Sequence, residues 1–245
     1  MVVAPMKSYA DLTRNDPSRF KSFLQRRRLR DAIRLGSEVA NARRVVDYGA
    51  ADGEFCKLLA AQFPDSRIWC FEPCAALRSE AVENLRAVDR VSVVDSVSSI
   101  ASGSCDLLFC MEVLEHLPPE GVEQTIAQIR RLLQTGGIAV IGVPIEIHGS
   151  ALLKGFFRMT RRYGAFDARP GNILRASAGF PPPSRPISEL ESGLPYHHEH
   201  LGFDHRPLRE RLRREFTLVR TAGSPVRWLG ALLNSELYFV VRKDA

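Results

Sequence analysis

The 245-residue chain is 45% apolar and 25% charged, with a formal net charge of +6, a composition that excludes disordered and collagen-like classes. About 110 hydrophobic side chains suffice for one well-buried core, since a domain of this size buries roughly 70–75% of its unfolded surface. No run approaches the ~18 consecutive apolar residues that a transmembrane helix needs, which excludes a membrane span.

In chain order, the first twenty residues lack the charged start and apolar core of a secretory signal. Residues 17–41 read as a helix, with apolar residues at helical spacing among Arg26, Arg27, Arg28, Arg30 and Arg34. Short apolar runs then alternate with helical stretches. Strands are expected at 44–49, 67–72, 90–95, 105–111 and 136–144, and helices at 54–63, 75–88 and 120–133. Strands this apolar are covered on both faces, as in a parallel sheet between two helical layers.

The regularity stops over 145–203, a stretch rich in Gly, Pro and Arg in which PPPSRP (181–186) excludes helix and central strand. A segment this long in a compact domain reads as a lid. Within it, residues 151–163 mix bulky apolar side chains with Lys154, Arg158, Arg161 and Arg162. Such an amphipathic stretch rests on an anionic membrane, covers a lipid-linked substrate, or packs its stripe on its own domain, the last being the expectation. A basic helix at 206–216 and strands at 217–223 and 235–243 close the chain, the last two forming an antiparallel end to the sheet. The expected fold is α/β: a doubly wound, mostly parallel seven-stranded sheet with a large insertion after strand five. Its parts are a basic N-terminal helix or cap (1–43), a core (44–145), the insertion (146–205) and a C-terminal part of the same sheet (206–245).

Five cysteines, at 56, 70, 74, 105 and 110, show no paired zinc-ligand spacing and suit reduced thiols in a cytoplasmic protein. The net charge divides into +7 over 1–46, −7 over 47–145 and +6 over 146–245. An anionic ligand or surface would meet the flanks, unless the basic faces are simply solvated.

The sharpest motif is Val45-Val46-Asp47-Tyr48-Gly49-Ala50-Ala51-Asp52-Gly53, a strand running into a small-residue turn that opens a helix. Small residues let a ligand approach the backbone, and the helix start offers free N–H groups. The spacing is not that of a dinucleotide-binding G-x-G-x-x-G turn. The acid that closes the strand suits a ligand bearing ammonium or sulfonium charge better than a pyrophosphate.

This segment resembles the D-x-G-x-G-x-G motif of class I S-adenosylmethionine-dependent methyltransferases, with Ala51 in place of the second glycine. The resemblance covers 44–145 well and 206–243 loosely. It implies that Asp47, Gly49, Ala51 and Gly53 hold the methionine part of the cofactor. Glu72, followed by Pro73, would take the ribose hydroxyls, Asp95 and Ser96 the adenine, and Met111 and Glu112 would line the cofactor. The segment Glu112-Val113-Leu114-Glu115-His116 further resembles the E-x-x-E-H pattern of ubiquinone-pathway O-methyltransferases and small-RNA 2′-O-methyltransferases. In those enzymes the acids and the histidine hold a divalent ion. The resemblance therefore implies a possible Mg²⁺ site at Glu112, Glu115 and His116, with His200 from His197-His198-Glu199-His200 as a further ligand. Many family members carry a similar segment without metal, and that alternative stays open.

A turn leading into a helix brings positions i, i+3 and i+4 to one face, so these three side chains can converge. His116, His148 and His200 are the candidate general bases for a substrate hydroxyl. The histidine-rich stretch is otherwise a solvated loop. No Asn/Asp-Pro-Pro-aromatic motif follows strand four, which argues against exocyclic amines of nucleic-acid bases. The expected reaction is methyl transfer to a hydroxyl of a small molecule or glycan. An RNA 2′-hydroxyl acceptor is the second choice, followed by a non-catalytic methyltransferase-like partner protein. Peripheral membrane contact and oligomeric state are left open.

Overall fold

The structure, a computed structural model, describes residues 19–39, 42–189, 193, 195–226, 231 and 234–244, the side chains of 19–25 and 39 excepted. Helix α1 spans Arg19–Val39; the expected helix positions 17–18 and 40–41 lie outside the described residues. Then come β1 (Arg44–Tyr48), α2 (Glu54–Gln62), β2 (Arg67–Phe71), α3 (Ala75–Leu85), β3 (Val91–Val94), β4 (Cys105–Met111), α4 (Pro119–Leu132) and β5 (Leu133–Pro144). Two helices follow, α5 (His148–Arg162) and α6 (Pro170–Ser177). After them come a short pair, β6 (Ser188–Glu189) and β7 (Pro195–Tyr196), then α7 (His205–Glu215), β8 (Thr217–Ser224) and β9 (Glu236–Arg242).

The main sheet has seven strands in the order β3-β2-β1-β4-β5-β9-β8. β9 runs antiparallel to both neighbours, and the other pairings are parallel. The expected doubly wound sheet with its antiparallel end is therefore present. Its core lies on two faces. On one, Val46, Leu108, Ile141 and Phe239 meet Ile126 and Ile129 of α4 and Leu212 of α7. On the other, Val45, Phe109, Val140 and Tyr238 meet Ala32 and Leu35 of α1, Leu59 of α2 and Leu85 of α3. Burial on both faces explains why the strands read as continuous apolar runs. Chain order reverses between β1 and β4, and ligands in such sheets bind beyond the strand C-termini at that point.

Two contacts bring α1 to that edge. Gly36 lies against Phe109 and Leu107, where an added Cβ would stand 2.7 Å from Phe109 Cζ. The Tyr238 hydroxyl of β9 donates to the Arg28 carbonyl at 2.9 Å. α1 thereby presents Arg28 beside the ends of β4 and β9.

Residues 145–203 contain more regular structure than their composition suggests: α5, a 3₁₀ turn (Phe166–Ala168) and α6. The proline-rich 181–186 stays without regular structure. The expectation that the bulky stripe of 151–163 packs on its own domain is corrected. α5 turns its small residues Ser150, Ala151 and Gly155 inward, with Gly155 pressed against Ile173 of α6. Leu152, Leu153, Phe156 and Phe157 are left exposed.

Gly36→Val would force α1 off Phe109. Overpacking of this kind costs about 1–3 kcal/mol, to be read as a lowered urea midpoint. An unchanged midpoint would contradict the docking of α1 through Gly36.

Candidate active site

The turn after β1 is built from backbone. The Gly49 and Ala50 N–H groups both donate to the Phe71 carbonyl at 2.9 Å, fastening the turn to the end of β2. Gly49 (φ 75°), Ala51 (φ 49°) and Gly53 (φ 77°) are all left-handed. Glycine adopts that conformation freely, whereas alanine loses roughly 1–2 kcal/mol there. Ala51 thus carries strain at the motif's one departure from glycine. Asp47 is buried and accepts a hydrogen bond from Cys56 Sγ at 3.2 Å. Burial pushes its carboxyl up to about 7, against the opposing effect of the Cys56 hydrogen bond.

Glu72 is also buried. One of its carboxylate oxygens accepts from the Ala51 N–H and the other from the Cys74 N–H, both at 2.8 Å. Burial raises its pKa, and the two N–H donors oppose the rise. In this structure Glu72 ties the two turns together. Pro73 beside it is exposed, and its carbonyl accepts from Arg78. Asp95 is exposed at the end of β3, and Ser96 caps the short turn Val97–Ser99.

A cavity of about 530 Å³ opens at the switch point. Its lining includes Asp47, Gly49, Ala51 and Met111 on one side and Glu112, His116, Glu146 and His200 on the other. Pro73, Asp95 and Ser96 lie outside it, as does Glu72, whose oxygens face the turn.

The other side of the cavity is dominated by charge. Glu112 follows β4 in a left-handed conformation (φ 55°) and pairs with Arg28 at 2.6 Å. The same guanidinium group lies 3.0 Å from Glu236, which begins β9 opposite Pro144 and is fully buried. Burial disfavours a charged Glu112, but Arg28 outweighs it and holds this carboxyl down at about 2. Burial and the neighbouring Glu112 raise Glu236 far above the usual range. Burial works against the Arg28 charge, but Glu112 and Glu236 outweigh it and keep the guanidinium charged between them.

Glu115 is buried at 0% exposure, and neither of its carboxylate oxygens has a hydrogen-bond partner among the described residues. Burial raises its pKa far above the usual value, and Glu112 adds to the rise. Its carboxylate lies 3.7 Å from His116 Nε2, which in turn is 3.2 Å from His200 Nε2. One ligand atom from each of Glu115, His116 and His200 falls within 4.8 Å of the others.

The loop carrying His200 is held in register by reciprocal bonds. The His197 N–H donates to the His116 carbonyl at 2.8 Å, and His116 Nδ1 donates to the His197 carbonyl at 2.6 Å. This fixes the His116 tautomer and turns an Nε2 lone pair inward, the arrangement that orients metal-ligating histidines. Arg185 clamps the same junction through the Glu115 and Glu199 carbonyls, and Tyr196 stacks on His116 at 4.5 Å. Burial lowers the pKa of His116 and brings His200 down to about 4, so both rings are neutral near pH 7.

The structure thus brings His200 to Glu115 and His116 across 84 positions of sequence, whereas Glu112, expected as a further ligand, is not in that group and pairs with Arg28 instead. It does not bring His148 to them. His148 starts α5 at φ 57°, and its ring lies against Gly179. Glu146, two residues earlier, takes the cavity-facing position. Glu146, Arg28, Tyr196, Glu236, Lys154 and Arg158 are site residues that the sequence reading did not assign to this place. For Glu146 and Glu236 a signal existed, since each is an acid at the edge of an otherwise apolar strand run.

Glu146 is fully buried and receives Lys154 at 2.9 Å and both terminal nitrogens of Arg158 at 2.8 and 3.0 Å. Burial disfavours its charge, but the two cations prevail and hold the carboxyl down at about 2, against an ordinary 4.5. Its stabilising contribution is therefore complete above pH 4.5 and is lost as the pH falls toward 2. Glu146→Gln should destabilise the fold by about 3–5 kcal/mol at pH 7. In urea unfolding across that window, the difference from the unaltered chain should shrink on acidification. A difference independent of pH would show that the carboxylate is not what these cations hold.

Comparison with known proteins follows this geometry. The family described as methyltransferase domain matches residues 20–169. No curated protein matches the sequence. Among solved structures, the fold is similar to that of 1,6-didemethyltoxoflavin-N1-methyltransferase from Burkholderia thailandensis with bound 1,6-didemethyltoxoflavin and S-adenosylhomocysteine. That match has a TM-score of 0.55 at 20% identity and covers 100% of this chain and 94% of the other. The N-methyltransferase NodS from Bradyrhizobium japonicum WM9, in complex with S-adenosylhomocysteine, matches with a TM-score of 0.57 at 16% identity, over 91% and 88% of the two chains. An O-methyltransferase family protein from B. thailandensis matches at 0.58 and 13% identity, over 91% of this chain and 57% of that one. At these identities the structures speak to the fold, and the sequence match speaks to the family: the chain belongs to the methyltransferase domain family and is a class I, S-adenosylmethionine-dependent methyltransferase.

Proposed function

We propose that this methyltransferase acts on a hydroxyl group of a small molecule or glycan, assisted by a divalent ion. One observation carries the reading: a fully buried Glu115 carboxylate without hydrogen bonds faces two inward-turned imidazole nitrogens. A buried acid without a partner costs several kcal/mol, and a hard cation with oxygen and imidazole ligands would remove that cost. The residues present fit such an ion: Glu115, His116 and His200 would hold it, with Glu112 beside them. When bound, Mg²⁺ or a similar ion supplies a lowered pKa to a coordinated hydroxyl.

The chain's own residues supply the rest. The small-residue turn and Asp47 suit the methionine part of the cofactor, which carries both ammonium and sulfonium charge. In the transfer, the acceptor oxygen forms a bond to the methyl carbon as the carbon–sulfur bond breaks, leaving neutral S-adenosylhomocysteine. With the ion bound, the imidazole Nε2 atoms would serve as its ligands and the hydroxyl proton would leave to water; without it, the proton passes to His116 Nε2, whose Nδ1–H is engaged by the His197 carbonyl. Such a displacement needs alignment and exclusion of water more than strong acid–base catalysis.

Methyl transfer from labelled cofactor across hydroxylated small molecules, glycans and short RNAs tests the reading. The expected result is activity on a hydroxyl acceptor that is abolished by EDTA, restored by Mg²⁺ and lowered about a hundredfold or more in Glu115→Gln and His200→Ala. Activity indifferent to EDTA would remove the ion. Transfer to amines alone would remove the hydroxyl acceptor.

A further inference from the structure

We infer that α5 and the segment after it form a docking surface for an anionic membrane. Among the described residues, eleven large apolar side chains are exposed, and eight of them fall between positions 152 and 187. Leu152, Leu153, Phe156 and Phe157 are 53, 61, 59 and 57% exposed. At spacings of one and four they occupy a single face of α5. Tyr163, Leu174, Phe180 and Ile187 extend the exposed apolar surface along the chain. Four large apolar side chains exposed on one helical face, with Phe156 and Phe157 in ring contact, mark a surface with a partner.

Charge selects the partner. Residues 147–187 carry seven Lys and Arg and one acid, Asp167. That acid is fully buried and paired with Arg158 and Arg162. Arg161, Arg162, Arg169 and Arg175 are exposed. A two-fold dimer through this surface would set the patch against itself, and with no exposed acid in the segment the arginines would face one another. An apolar helical face flanked by arginines matches instead the boundary between acyl chains and anionic headgroups. Among the described residues no helix is long and apolar enough to cross a membrane, so the contact would be interfacial. On the opposite side of α5, Lys154 and Arg158 line the cavity, and one helix therefore borders both the lipid surface and the site.

Co-sedimentation of the full chain with vesicles of phosphatidylcholine alone, and of phosphatidylcholine with one quarter phosphatidylglycerol, tests the inference. Binding is expected to the anionic vesicles only, to weaken with salt, and to fall roughly tenfold or more in the double variant Phe156→Ser, Phe157→Ser. The variant should keep its circular dichroism and melting temperature, since both rings are exposed. Arg161→Glu with Arg175→Glu should lower binding without touching the apolar face. Absence of binding to anionic vesicles would overturn the inference, as would binding unaffected by either variant. A dimer in sedimentation velocity that the phenylalanine variant dissociates would overturn it in favour of a second copy, and competition by RNA alone would do so in favour of nucleic acid.

Discussion

Glu115, Glu146, Asp167 and Glu236 are all fully buried around the C-terminal edge of the sheet, and each ionised carboxyl there must be compensated or it destabilises the fold. The surrounding architecture follows from how that compensation is made. Glu146 and Asp167 share the cations of α5, so α5 must lie across the end of β5. Glu112 and Glu236 share Arg28, so α1 must pass over β4 and β9. Glu115 has an imidazole, His116 at 3.7 Å, where the other three acids have an arginine or lysine in ion-pair range.

The two halves of the cavity are built differently. Toward the turn after β1, backbone N–H groups, the left-handed residues Gly49, Ala51 and Gly53 and the buried Asp47 carboxyl define the shape. On the charged side, side chains from five separate stretches converge, and the fixed tautomer of His116 depends on a carbonyl 81 positions away. Backbone strain recurs at Glu112, where a left-handed residue carries the carboxylate into the cavity. Such strain persists only where the surroundings over-determine it, and here Arg28 supplies the restraint.

Much of this was legible in the sequence. The seven strands and their helices followed from apolar periodicity, because strands buried on both faces leave little ambiguity. The turn 47–53 was readable because close backbone approach demands small residues. His200 was reachable through its residue type and the E-x-x-E-H pattern. Other features depended on tertiary direction. Whether Glu146 or His148 faces the cavity turns on the geometry at the start of α5, which no local pattern encodes. Arg28 is one of six arginines on a helix, and only the docking of Gly36 on Phe109 and of Tyr238 on the Arg28 carbonyl selects it. The outward aim of Phe156 and Phe157 reverses the ordinary expectation for an apolar stripe, because the inner face of α5 is already filled by Gly155, Ala151 and the cations serving Glu146.

The central claim is that this edge of the sheet holds S-adenosylmethionine beside the acidic cluster. Calorimetric titration of the full chain with S-adenosylhomocysteine, with NAD⁺ as the control, tests it most directly. The account predicts saturable one-to-one binding of S-adenosylhomocysteine in the micromolar range and no heat from NAD⁺. No binding of S-adenosylhomocysteine, or equal binding of NAD⁺, would contradict it.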